Sequence, residues 1–125
     1  MEFEKVEQGL FRKILLAHSK TPIECIYLEL GVIPFRFYLM TRRILYYQTI
    51  MNRDSREITK RIVQLQKEEH NEGTFYQQVE SDMVDLNISE DDLLNSHTVL
   101  KKQLQDATAK LAFQHLIDMV LYTYA

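Results

Sequence analysis

Three glycines and two prolines in 125 residues are too few to close the many tight turns of an all-β chain, which leaves helix as the favoured local state. One cysteine, Cys25, excludes an internal disulfide, and its apolar surroundings predict a buried thiol in a reducing compartment. No stretch approaches the roughly 18 consecutive apolar residues that span a bilayer, and the opening MEFEKVEQ is too acidic for a secretion signal. The expectation is an intracellular chain, in cytoplasm or nucleus, without a membrane partner. Glycine-rich phosphate loops are missing, no serine sits in a Gly-x-Ser-x-Gly setting, and no histidine pair has the i, i+4 spacing of a helical zinc site. His18, His70, His97 and His115 are read as surface or capping residues, and no cofactor is expected.

What is present suits a folded helical chain. Hydrophobic residues make up 46% and charged residues 26%, enough to bury a core in one domain. The net charge of −3 hides an asymmetry: residues 1–62 carry 11 Lys or Arg against 7 Asp or Glu, and residues 63–125 carry 4 against 11. The first half can face phosphate and the second cannot, unless the two simply dress solvated faces or pair with each other.

Apolar spacing predicts a first helix over 4–18 with Val6, Leu10, Ile14 and Leu15 as its buried stripe. Thr21, Pro22 and Glu24 then supply a cap hydroxyl, a proline at the first helical position and a capping-box glutamate. That helix, 22–30, must be short, because Gly31 offers a left-handed stop and Pro34 forbids continuation. Pro34 starts a central helix running to about Asn52 with aromatic or aliphatic residues around most of its girth. Asp54 and Glu57 have capping-box spacing ahead of a helix with Ile58, Ile62 and Leu65 on one stripe. Gly73 marks an internal linker, and a sub-boundary is expected near 70–74. Thr74 and Gln77 open a helix over 75–86, Ser89 caps the acidic turn EDDLLN, and a last helix runs from about Ser96 to Tyr124. The predicted fold is all-α, a single domain of about five or six helices, with a short capped helix at 22–30 and a long C-terminal one.

The segment LFRKILLAHSKTPIECIYLELGVIPFRFYLMTRRILYYQTIMNRD carries an ordered signature: Leu10 to Leu15, Ser19-Lys20-Thr21-Pro22, Tyr27-Leu28-Glu29, Gly31, Pro34, Arg36-Phe37 and Arg42-Arg43 before an aromatic run. It resembles the region that follows the polymerase domain in non-LTR (LINE-type) retrotransposon reverse transcriptases. Gly73 to Leu86 and Lys101 to Leu116, with Ala112-Phe113, look like the later helices of that region. The resemblance implies a thumb-adjacent helical piece lying beside RNA or primer duplex. It does not carry over catalysis. The paired palm aspartates that hold two metal ions have no counterpart, and one cysteine cannot supply a zinc knuckle. Asp91-Asp92, the only adjacent aspartate pair, stands in a helix-start context after Ser89, which favours capping over metal binding. The chain is therefore expected to be a non-catalytic fragment or relic of a reverse transcriptase, or a domesticated interaction module pairing through apolar helix faces with protein or with itself.

The basic residues are the functional lead. On one helix Arg36 and Arg43 share a face, and Arg42 lies about 100° away and aligns with Arg53. Under the resemblance these guanidiniums, with Lys13 and Lys20 and extended by Arg56, Lys60 and Arg61, contact the phosphates of RNA or an RNA/DNA hybrid. The competing expectation is that Arg36, Arg42 and Arg43 pair with Glu24, Glu29 and Glu57. Phe35, Phe37, Tyr38, Tyr46 and Tyr47 are read as core rather than as a base-stacking platform.

Overall fold

The computed structural model describes residues 2–15, 22–70 and 72–124. The fold is all-α, with helices α1 (Glu2–Ile14), α2 (Ile23–Leu30), α3 (Phe35–Met51), α4 (Ile58–Glu69), α5 (Phe75–Leu86) and α6 (His97–Tyr124). A single 3₁₀ turn covers Asp92–Leu94, and no strand occurs among the described residues. Two compact units are present, one within Met1–Leu39 and Thr108–Ala125, the other formed by Met40–Ala107. Helices α3 and α6 each contribute residues to both.

In the first unit α1 packs on α2, with Phe11 edge-on to Tyr27 at 5.8 Å between ring centroids. Ile26, Tyr27, Phe37, Ala112 and Leu116 form its buried core. The glycine stop is as expected: Gly31 has φ 68, its N–H donates to the Leu28 carbonyl, and Val32 N–H reaches back to Tyr27, so two open carbonyls are satisfied. Pro22 lies one position earlier than expected, with ψ 134, outside the helix it precedes. Thr21, Lys20 and the expected stop near His18 fall outside the described residues. Cys25 is partly exposed rather than buried.

The expected stripe of α1 is not its packing face. Val6, Leu10 and Ile14 are exposed, and the buried residue of α1 is Glu4. The reason lies at the start of α3, where the first N–H groups have no partner inside the helix and the preceding Pro34 carries no side-chain acceptor. Glu4 Oε1 accepts the Arg36 N–H at 3.0 Å, and Glu7 accepts from the Phe35 N–H. Two carboxylates one turn apart thus cap another helix, and satisfying those donors sets the rotation of α1.

Glu7 bears a cost for this position. Burial raises its carboxyl above the ordinary value of 4.5, only partly offset by the bonds from Phe35 and Tyr27. A raised folded value means this contribution to stability is complete below about 4.5 and lost as pH rises through the folded value. Glu7→Gln is therefore expected to raise the melting temperature at pH 7 and to converge with the wild type near pH 4. A variant no more stable than wild type at pH 7 would contradict this.

In the second unit Ile44, Tyr47, Ile50, Val79, Leu100 and Leu104 lie at the centre, and α4 packs on α5. Helix α5 begins and ends where expected. Thr74 Oγ1 accepts Gln77 N–H at 3.2 Å, and Gln77 Oε1 returns to the Gly73 N–H at 2.5 Å, a reciprocal cap displaced by one residue. The Asp54–Glu57 box does not form: Asp54 Oδ1 takes the Arg56 N–H and Glu57 turns to Arg53. Ile58, Ile62 and Leu65 do share a stripe on α4, and it is exposed, with Val63 buried instead. As with α1, a polar group decides the rotation, because Gln66 Oε1 accepts the Tyr76 N–H at the open start of α5.

Ser89 and Asp92 cap each other at the 3₁₀ turn. Ser89 N–H donates to Asp92 Oδ2 at 2.8 Å, and Asp92 N–H donates to Ser89 Oγ at 3.3 Å. The Ser89 backbone donor holds the Asp92 carboxyl below its ordinary value, so the carboxylate of this pair is engaged in capping.

Candidate nucleic-acid interface

The candidate cations meet different fates. Arg36, in the first unit, is half-exposed and lies between three groups: its Nε stands 3.9 Å from Glu4 Oε1, its Nη2 is 2.8 Å from His115 Nε2, and its guanidinium sits 5.2 Å from the Phe37 ring centre. His115 accepts through Nε2 in the neutral tautomer that carries its proton on Nδ1. Lys13 is exposed in the last turn of α1. Lys20 lies outside the described residues.

In the second unit Arg43 is committed internally. Its Nε and Nη2 donate to the two oxygens of Asp82 at 2.6 and 3.0 Å, and Asp82, 2% exposed, also accepts from Gln78 Nε2 at 3.1 Å. Such a fork is the strong form of ion pair and leaves little of Arg43 for phosphate. Arg42 is exposed on α3. Arg53 bonds Glu57 at 3.3 Å, and its carbonyl accepts Lys60 Nζ at 3.0 Å.

The expected carboxylate partners were therefore misassigned for Arg36 and Arg43. Neither Glu24, Glu29 nor Glu57 pairs with them; Glu4 on α1 and Asp82 on α5 do. Asp82 had a readable signal, since it falls in the Phe75, Val79, Asp82, Leu86 row of α5, where a carboxylate at a core position requires a partner. Glu4 lacked one, because its role depends on the open end of a helix more than thirty residues away.

What the second unit does bring together is the stretch before and within the first turn of α4. Arg53, Arg56, Lys60 and Arg61 fall within nine residues, against Asp54 and Glu57. Arg56 and Arg61 are exposed and take part in none of the ion pairs among the described residues. They flank the positive end of the α4 dipole, which adds to the local field.

The aromatic residues divide. Phe37 and Tyr47 are core as expected, whereas Tyr38 and Tyr46 are half-exposed, Tyr38 stacked on Phe35 and Tyr46 edge-on to Phe75. His70 caps α4 in the left-handed region with φ 53. Among the described residues no three His, Cys, Asp or Glu side chains are grouped to hold a metal ion, and no helix is long and apolar enough to cross a membrane. Comparison of the chain with protein-family models, with curated proteins and with solved structures finds no match.

Proposed function

We propose that this chain is a non-catalytic helical module of the kind that follows the polymerase domain in LINE-type reverse transcriptases, binding the backbone of RNA or an RNA/DNA hybrid through the Arg53–Arg61 segment. The observation that carries the reading is the exposed, unpaired state of Arg56 and Arg61 beside Arg53 and Lys60 at the start of α4. Four cations on a short surface contact phosphate without reading sequence. In a fluorescence anisotropy titration with a labelled hybrid duplex, affinity is expected to fall with salt along a log–log slope of about −3. Joint replacement of Arg56, Lys60 and Arg61 by alanine should flatten that slope by about two to three. A salt-independent signal, or one that the triple variant leaves unchanged, would remove this interface.

The exposed stripes of α1 and α4 support a second reading, a domesticated interaction module that pairs through apolar helix faces. Sedimentation of the same samples separates the two: association without any effect of nucleic acid favours pairing.

A further inference from the structure

The exposed apolar row of α1 is self-complementary. Phe3, Val6, Leu10 and Ile14 are 68%, 73%, 55% and 60% exposed, and their spacing of three, four and four residues aligns them in one row about 16 Å long. Phe3, at one end of the row, also packs against Phe35 of its own unit, ring centroids 5.8 Å apart, and the internal contacts of Glu4 and Phe11 lie on the neighbouring face. Laid antiparallel against the same row of a second copy, with a two-fold axis near residue 8, Phe3 meets Ile14 and Val6 meets Leu10. The charges obey the same register. Glu2 and Lys13 lie on one flank of the row, both exposed and outside the ion pairs among the described residues; antiparallel pairing brings each beside its opposite on the second helix, twice per dimer. Gly9 shares that flank close to the axis. A glycine inside a helix costs about 1 kcal/mol relative to alanine, and an added Cβ at Gly9 would meet nothing within 4 Å, so no contact within the chain calls for it.

We infer that α1 is a homodimerisation helix, pairing antiparallel with α1 of a second copy through Phe3, Val6, Leu10 and Ile14, with Glu2–Lys13 ion pairs between copies. This rests on the second reading above and names its surface and partner. The stripe of α4 fits self-pairing less well, because an antiparallel register centred on Ile62 sets Arg61 against Arg61. Each α1 row offers only a few hundred Å², below the ~1,200 Å² at which stable interfaces begin, so the dimer is reversible and concentration-dependent.

Sedimentation velocity on the full chain from micromolar to submillimolar concentration tests it. Wild type is expected to shift from monomer to dimer, Leu10→Glu to stay monomeric with an unchanged circular dichroism spectrum, and Ile62→Glu to dimerise like wild type. Glu2→Lys or Lys13→Glu alone should weaken the dimer about five- to tenfold, and the two together should restore it, a rescue that loss of folding cannot produce. A chain that stays monomeric throughout overturns both the inference and pairing between copies. A dimer broken by Ile62→Glu and untouched by Leu10→Glu overturns the α1 inference alone and leaves the pairing reading standing.

Discussion

Arg43→Ala is expected to lower the stability of the chain by about 3–5 kcal/mol, the cost of stranding a buried charge. Asp82 is 2% exposed and takes two donors from Arg43, so removing the arginine leaves a carboxylate with the Gln78 amide as its remaining side-chain donor. The reverse change is milder. With 29% of its side chain exposed, Arg43 can turn toward water, and Asp82→Ala should cost about 2 kcal/mol. Replacing both partners with apolar residues of matching volume, Arg43→Met with Asp82→Leu, should recover most of the loss, because desolvation of the pair consumes much of its attraction. Urea denaturation of the three variants measures this order directly. If Arg43→Ala proves as stable as wild type, the pair contributes nothing and the arginine is free for another role. The result also guards the binding test: lost affinity in an Arg43 variant would report unfolding, whereas Arg56 and Arg61 can be changed without touching the core.

The second large effect is expected at Gln48. Its side chain is buried on α3, and Nε2 donates to the carbonyls of Leu93 and Asn95 at 2.9 and 2.8 Å. One amide thus ties the 3₁₀ turn to the central helix. Gln48→Ala removes both bonds and leaves a void, for about 2–3 kcal/mol. Gln48→Glu should be worse at neutral pH, because a carboxylate then faces two carbonyl oxygens with no proton to offer. The introduced acid would have a raised folded value, so its penalty should shrink as pH falls and the protonated group regains one hydrogen bond. Amide hydrogen exchange at residues 92–95 should quicken in both variants. Protection unchanged in Gln48→Glu at pH 7 would show that the turn is held by something else.

Local chemistry was legible where it depended on neighbours in the chain. Gly31 stops α2 because only a residue without a Cβ takes that conformation cheaply. Thr74 and Gln77 cap α5 across three residues, Ser89 and Asp92 do the same for the acidic turn, and Pro34 marks the start of α3. Of the apolar row expected along α6, Leu100, Leu104 and Leu116 are buried, Ala107, Leu111 and Val120 are partly exposed and Leu121 is exposed, while Ala112, outside that row, is buried.

Which side of a helix faces inward was another matter. On α1 and α4 the apolar period is real, yet Glu4 and Gln66 turn inward while Val6, Leu10, Ile58 and Ile62 face out. The same holds for the candidate interface: Arg36 and Arg43 share a helix face, but Glu4 and Asp82 pair with them, and at the start of α4 Arg56 and Arg61 are exposed. The amino-acid sequence by itself determined that the chain is helical, where most of its helices begin and end, and that its positive charge lies in its first half. Tertiary structure alone decided which faces are buried and which arginines are spent. The physical reason is that a helix start leaves donors that must be satisfied, which a carboxylate or amide from another helix does here, whereas an apolar stripe gains by burial only where the rest of the fold sets a surface against it.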